Sequence, residues 1–164
     1  MMAIDLPPAE TLYGGPPDFV VPFDPRAETQ ARRKAGKALP AGHRLIALKR
    51  ANKIVTIHGR PSIAKTTEWQ AFRTWAIYHL RTRKAQLRWV RPDADVPLAI
   101  AAVYHPPDRV GMPDTDGMLA TALDLLQDAG IIENDRQARR PDGSEIREPD
   151  PIRPRLVIWV RRLG

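Results

Sequence analysis

Several aspartates in one segment, residues 112–137, have a spacing that suggests metal-ion chemistry. Asp114 and Asp116 stand two residues apart, Asp124 follows eight residues after Asp116, and Asp135 comes eleven residues later still. Carboxylates held together repel one another, and a divalent cation removes that repulsion. Mg²⁺ prefers such oxygen ligands and commonly uses one or two carboxylates together with water and a substrate phosphate. Bound there, it can activate a water molecule and neutralise charge on a scissile phosphate.

Each of these aspartates also has an ordinary structural explanation. An isolated Asp-x-Asp is common in turns and as a helix cap. Asp124 could be a solvated helix residue or a salt-bridge partner of the basic segment, and Asp135 could belong to a turn. Their collection in one segment after an apolar strand favours the metal site over these alternatives.

Two elements must position these carboxylates. The run "VPLAIAAVY" at 96–104 is apolar on both faces, which predicts a central strand. The segment "GMLATALDLLQDAG" predicts a helix, because its apolar residues recur at steps of three and four and it ends on a glycine suited to a C-cap. If residues 114–116 are extended, Asp114 and Asp116 share one face. Asp124 then lies roughly two helical turns below Asp116.

Another helix is predicted upstream in "SIAKTTEWQAFRTWAIYHLRTRKAQL", where the apolar stripe consists of Trp69, Phe72, Ala76 and Leu80. Two short strands with a turn at "KRAN" precede it, and "RLVIWVRR" closes the chain as a strand. The predicted order is strand, strand, helix, strand, helix, strand. We therefore expect an α+β domain in which two main helices pack on one side of a small mixed sheet.

The N-terminal part is expected to lie outside this domain. Residues 1–25 contain six prolines, a composition that sustains neither a helix nor a central strand. Residues 26–42 could form a short basic helix or remain flexible. The expected division is a proline-rich and basic arm at 1–42, and a folded domain that begins near residue 43 and continues over 43–164.

Basic residues are concentrated between Arg26 and Arg91, where 17 lysines and arginines face two acids. Residues 1–25 and 92–164 each carry a net charge of −4, so the total of +7 conceals one strongly cationic segment. Such an excess predicts a polyanionic partner, and nucleic acid in particular. Six residues on or beside the first helix are expected to contact phosphates, although each alone could be a solvated surface charge: Arg60, Lys65, Arg73, Arg81, Arg83 and Lys84.

Several function classes are excluded by composition. Cysteine is absent, which removes disulfides, thiolate metal sites and cysteine nucleophiles. The longest apolar run has about half the length that a membrane span needs, and the opening "MMAIDLPPAE" lacks the features of a secretory signal. No GxxxxGK[ST] loop is present, so no nucleotide cofactor is expected. These features predict a soluble cytoplasmic protein with no membrane association.

The segment "PDTDGMLATALDLLQDAGIIENDRQ" resembles the signature of the RusA family of Holliday junction resolvases, found in bacteria and their phages. The residues that match the family's Asp-x-Asp pair, helix aspartate, closing aspartate and terminal glutamine are Asp114, Asp116, Asp124, Asp135 and Gln137. The basic strand, Arg-Pro segment and first helix upstream also look like those of the family. The resemblance covers about residues 44–162.

The resemblance implies a small homodimer that uses Mg²⁺, or Mn²⁺ in its place, to nick two opposed strands of a four-way DNA junction. A two-fold symmetric dimer would present two equivalent metal sites to a nearly two-fold symmetric substrate. By resemblance Asp114, Asp116 and Asp135 are the catalytic metal ligands, and Asp124 supports them without binding the metal.

This chain departs from the family pattern at three positions. Ala120 stands where the family has a lysine, Gly117 where it has an asparagine, and Asn134 where it has the first aspartate of the closing pair. The lysine would stabilise charge that develops in the transition state. Two alternatives therefore stay open: a relative that binds DNA with weakened or lost catalysis, and a basic RNA-associated protein whose aspartates are turn and cap residues.

Overall fold

A mixed β-sheet forms the centre of the described chain. The computed structural model describes residues 8–24, 42, 44–47 and 52–164. The elements in chain order are α1 (Ala9–Tyr13), β1 (Phe19–Pro22), β2 (Asn52–Ile57), β3 (Arg60–Lys65), α2 (Thr67–Gln86), β4 (Leu98–His105), α3 (Thr115–Asp128), a 3-10 turn (Asp135–Gln137), β5 (Ala138–Arg140), β6 (Glu145–Ile146) and β7 (Arg155–Arg162).

The main sheet has the order β1-β7-β4-β5, with the short β6 also paired to β4, and β2 with β3 forms a separate two-stranded sheet. β7 is antiparallel to both β1 and β4, whereas β5 and β6 run parallel to β4. The sheet is therefore mixed and β4 is a central strand, as the sequence predicted. Together with the helices this makes an α+β structure.

The two long helices share one apolar core with a single face of the sheet. That core combines alternate residues of β4 and β7 with the stripe of α2, which is buried as predicted at Trp69, Phe72, Ala76 and Leu80. α2 begins at Thr67, because the Thr66 side chain caps it by accepting a hydrogen bond from the Trp69 amide at 3.2 Å.

The opposite face of the sheet carries a smaller apolar cluster. Ala9 and Tyr13 of α1 pack there against Val157 and Trp159 of β7, on residues that alternate with the first core. Among the described residues, no helix combines the length and the apolar composition that crossing a membrane requires.

The prediction for the N-terminal residues is wrong in its described part. Residues 9–13 form α1, and β1 pairs with β7 as an edge strand in which Phe19 and Val21 are fully buried. Two prolines of this N-terminal part are compatible with these elements, because Pro8 lies before the first helical turn and Pro22 ends an edge strand. The folded core thus starts well before residue 43. The basic helix considered for 26–42 lies outside the described residues, except at its last position.

The predicted strand pair upstream of α2 is shifted along the chain. Leu45 and Ala47 are buried but not in a strand, and the described hairpin turns at His58 and Gly59. Both turn residues have positive φ angles, 49° and 74°, as two-residue hairpin turns that match strand twist require. The turn predicted at "KRAN" lies outside the described residues, except for Asn52, which begins β2. β5 and β6 were not predicted from the sequence. They have three and two residues, and such short strands depend on pairing with a distant strand more than on their local hydrophobic pattern.

Candidate functional site

Asp114 is the N-cap of α3, so the ordinary role of an aspartate as a helix cap applies to this residue. Its backbone is extended, and its Oδ1 accepts a hydrogen bond from the Gly117 amide at 2.8 Å. The helix begins at Thr115, so residues 114–116 are not extended together and the predicted shared face is wrong. Asp116 is exposed in the first turn, where the helix dipole favours a carboxylate.

The glycine that departs from the family pattern is explained by this cap. A Cβ built on Gly117 would lie 2.5 Å from Asp114 Oδ1. Any other residue at 117 would therefore force the capping carboxylate to move. Gly117 and the capping role of Asp114 are one local arrangement.

Asp124 is half-buried in the middle of α3 among charges of both signs. Burial raises the pKa of Asp124 above its ordinary value, and the neighbouring Asp128 raises it further. Lys65 and Arg73 lower this pKa, whereas Asp135 adds a smaller increase. Because these side chains influence the Asp124 carboxyl electrostatically, α3, the end of β3, α2 and the 3-10 turn all contribute charges to one region.

Asp135 begins the 3-10 turn and is exposed. The buried Gln137 holds this turn in place through both ends of its amide. Its Oε1 accepts hydrogen bonds from the Glu133 and Asn134 amides at 2.7 and 3.2 Å. Its Nε2 donates to the carbonyls of Asp93 and Val96 at 2.8 and 3.1 Å. The glutamine of the sequence signature thus anchors the Asp135 turn to the segment before β4.

The predicted metal ligands do not come together as a set of three. Within the described ranges, no group of three or more acidic or histidine side chains is placed to hold a metal ion. Asp124 and Asp135 are close enough to affect one another electrostatically. Carboxylate oxygens suit Mg²⁺, and a cation would relieve the unfavourable environment of Asp124. The donor chemistry of these aspartates therefore suits Mg²⁺, and the structure brings Asp124 and Asp135 into one electrostatic neighbourhood.

Three of the predicted DNA-binding cations lie at the C-terminal end of α3. Arg73 Nε donates to Asp128 Oδ2 at 2.6 Å, and Arg81 Nη2 lies 3.3 Å from the Asp128 carbonyl oxygen. Lys84 extends over Gly130, with its Nζ 3.2 Å from where a Cβ on that glycine would stand. Cations are favourable at a helix C-terminus, so these side chains help to join α2 to α3. Asp128 is also an aspartate of the segment 112–137, and it was not singled out from the sequence.

The other three predicted cations have different surroundings. Arg83 Nε donates to the Asp18 carbonyl at 3.1 Å and so ties α2 to the residue before β1. Lys65 lies at the end of the hairpin, with its Nζ 5.7 Å from the centre of the Trp69 ring. Arg60 is exposed on the hairpin. Of the six cations, Lys65 and Arg60 therefore belong to the hairpin, and Lys65 also lies close to α2.

An exposed aromatic ring lies beside the basic face of α2 and was not singled out from the sequence. Tyr78 is 66% exposed. It lines an open groove of about 410 Å³ together with Arg73 and Arg81. The sequence signal was its position on the side of the helix opposite the buried stripe. An exposed aromatic ring in a groove that arginines also line is suited to stacking on a nucleic-acid base.

Comparison of the chain with models of protein families gives no match. Comparison with curated proteins also gives none.

Proposed function

We propose that this protein is a metal-dependent, structure-selective DNA endonuclease of the RusA type, which resolves four-way junctions by paired nicks. The observation that carries the proposal is the environment of Asp124. A half-buried carboxyl with a raised pKa, set among other carboxylates and beside a lysine, costs stability. Groups of this kind are concentrated at functional sites.

In this proposal the fold is RusA-like, residues 43–164 together with α1 and β1 form the nuclease domain, and Asp114, Asp116 and Asp135 hold Mg²⁺ or Mn²⁺. The ion would supply an activated water and would neutralise charge on the scissile phosphate. Asp114 also caps α3 through Oδ1, which sets the position of its carboxylate. Asp124 supports the site from the helix, and Gln137 fixes the turn that carries Asp135. A homodimer would present two such sites.

The basic half of the chain supports DNA as the substrate. Residues 26–91 carry a net charge of +15, and the groove of α2 is lined by Tyr78, Arg73 and Arg81. Some cations are already used within the protein, such as Arg73 in its ion pair with Asp128. DNA binding is therefore expected to weaken steeply with added salt. The salt dependence should correspond to fewer phosphate contacts than the number of cations in the chain suggests.

A second candidate is a junction-binding protein that does not cleave. One observation favours it: Ala120 stands where the family has a lysine. Lys65 approaches Asp124 from the hairpin, so a cation is supplied to the region from elsewhere in the chain. The first candidate therefore remains the proposal.

The test is cleavage of a labelled synthetic four-way junction with Mg²⁺, with Mn²⁺ and with chelator. Asp116→Asn and Asp135→Asn are expected to abolish the nicks, whereas the control Glu148→Gln, which changes an 83% exposed carboxylate in the loop before β7, is expected to cleave normally. Junction binding without nicks under any metal would favour the second candidate. No junction binding at all would refute both.

A further inference from the structure

The hairpin formed by β2 and β3 stands apart from the main sheet. It forms its own two-stranded sheet, and every one of its residues is exposed or half-buried. An isolated two-stranded hairpin is marginally stable in water. An element of this kind is suited to contact with a partner more than to support of the fold.

One face of this hairpin presents a pair of exposed isoleucines. Ile54 and Ile63 lie directly opposite each other in the strand register, and their side chains are 82% and 75% exposed. Lys65 follows Ile63 by two residues, so it stands on the same face. Single exposed apolar residues are ordinary, but a cross-strand pair of large aliphatic side chains exposed together marks an interaction site.

The charge of the hairpin indicates the kind of partner. Residues 52–65 contain three cations, Lys53, Arg60 and Lys65, and no acid. Lys65 lies on the isoleucine face, whereas Lys53 and Arg60 lie on the other face of the hairpin. A second copy packed on the isoleucine face, related by two-fold symmetry, would bring the two Lys65 charges together. An anionic partner with apolar faces has no such penalty. Nucleic acid has both properties, in its phosphates and its bases.

We infer that the hairpin is a DNA-binding ribbon whose Ile54–Ile63 pair contacts base faces exposed at a branch point, while its cations contact the flanking phosphates. This inference rests on the proposed function and deepens it, because it assigns the selectivity for branched DNA. β-ribbons are used to enter DNA grooves, and isoleucine is among the apolar residues that proteins insert between base steps. At a branch point bases are already less stacked, so insertion costs less there than in a continuous duplex.

The experiment compares wild type with the double variant Ile54→Thr/Ile63→Thr. Threonine keeps a β-branched side chain, so the hairpin is preserved. Ile152→Thr is the matched control, because Ile152 is 85% exposed and lies outside the hairpin. Fluorescence anisotropy, with chelator present, gives the dissociation constants for a four-way junction and for a duplex of the same sequence. A 2-aminopurine at the branch point reports base unstacking.

The double variant is expected to lose about tenfold in junction affinity, with duplex affinity changed less than about twofold and the salt dependence unchanged. The 2-aminopurine signal on binding should fall with it. In contrast, Lys53→Gln/Arg60→Gln should weaken binding to both DNAs and reduce the slope of log K against log salt by about 2.

Unchanged junction affinity in the isoleucine variant would overturn the inference and leave the proposed function intact. The same result combined with loss of a dimer in analytical ultracentrifugation would assign the surface to contact between copies of the chain. If the wild-type protein binds neither DNA, the proposed function fails first and the inference fails with it.

Discussion

The buried glutamine at 137 gives the sharpest prediction about how the acidic region is held together. Its side chain is 2% exposed, and its amide makes hydrogen bonds to four backbone groups, two directly before the Asp135 turn and two in the segment before β4. Gln137→Met keeps the length of the side chain but removes all four. Each hydrogen bond contributes about 1 kcal/mol net, and the groups left behind are in part reached by water. We therefore expect a loss of about 3 kcal/mol in the free energy of unfolding.

Urea denaturation followed by tryptophan fluorescence measures this loss, and for a chain of this size it corresponds to a fall in Tm of about 6 to 12 °C. Gln127→Met is the matched control, because Gln127 is exposed on α3, and its cost should stay below about 0.5 kcal/mol. A loss below about 1 kcal/mol for Gln137→Met would refute the assignment of Gln137 as the anchor of the turn.

The variant Gln137→Glu separates the two ends of the amide. It keeps the acceptor for the Glu133 and Asn134 amides but turns a carboxylate oxygen towards the Asp93 and Val96 carbonyls. That arrangement favours the protonated acid, so the pKa of the new carboxyl in the folded protein should lie above its unfolded value. The folded state then binds the extra proton, and stability should rise as the pH falls through the folded pKa. Stability of this variant that is independent of pH would contradict the geometry.

Three further predictions follow from particular contacts. Phe19→Ala should cost about 3 kcal/mol or more in urea denaturation, because Phe19 is fully buried, whereas Val20→Ala on the exposed side of the same strand should cost under about 1 kcal/mol; equal small effects would restore the flexible-arm description. Asp124→Asn should raise the free energy of unfolding at pH 7, because burial raises the pKa of the Asp124 carboxyl. The difference from wild type should vanish below pH 3.8, where the carboxyl is protonated in both the folded and the unfolded state. A variant that is less stable than wild type at pH 7 would refute this. Tyr104→Phe should cost about 1 to 2 kcal/mol, because the hydroxyl accepts a hydrogen bond from the buried Leu45 amide at 3.1 Å; a change of Tm under about 2 °C would contradict it.

Periodicity in the sequence was sufficient to predict the two long helices and the two long strands. Residues at steps of three and four, such as Phe72 and Ala76, are buried in α2, and the alternation of Ile158 and Trp159 places them in separate cores on the two faces of the sheet. These elements bury enough apolar surface that a local pattern decides their structure.

The edge of the sheet could not be predicted in the same way. β1 has only four residues and ends on Pro22, and what makes it a strand is pairing with β7, more than a hundred residues away. Composition alone therefore favoured an arm. The same reason applies to β5 and β6, whose strand character comes from parallel pairing with β4.

The arrangement of the candidate site could not be predicted from residue types and their spacing. The spacing of Asp114 and Asp116 suggested a shared extended face, but the preference of aspartate for the N-cap decided the local conformation. The charges around Asp124 come from α2, the hairpin and the 3-10 turn, which no local pattern could bring together. Gln137 was noticed as part of a signature, and its hydrogen bonds show why a glutamine stands there.

The most direct test of the proposed function is resolution of a cruciform in a supercoiled plasmid. Paired nicks across the junction within one binding event convert the plasmid to linear DNA, whereas an isolated nick releases the supercoiling and leaves an open circle. We predict linear product with Mg²⁺ or Mn²⁺, and none with chelator or with Asp116→Asn. Supercoiled plasmid left intact under every metal, despite junction binding, would contradict the assignment of an endonuclease.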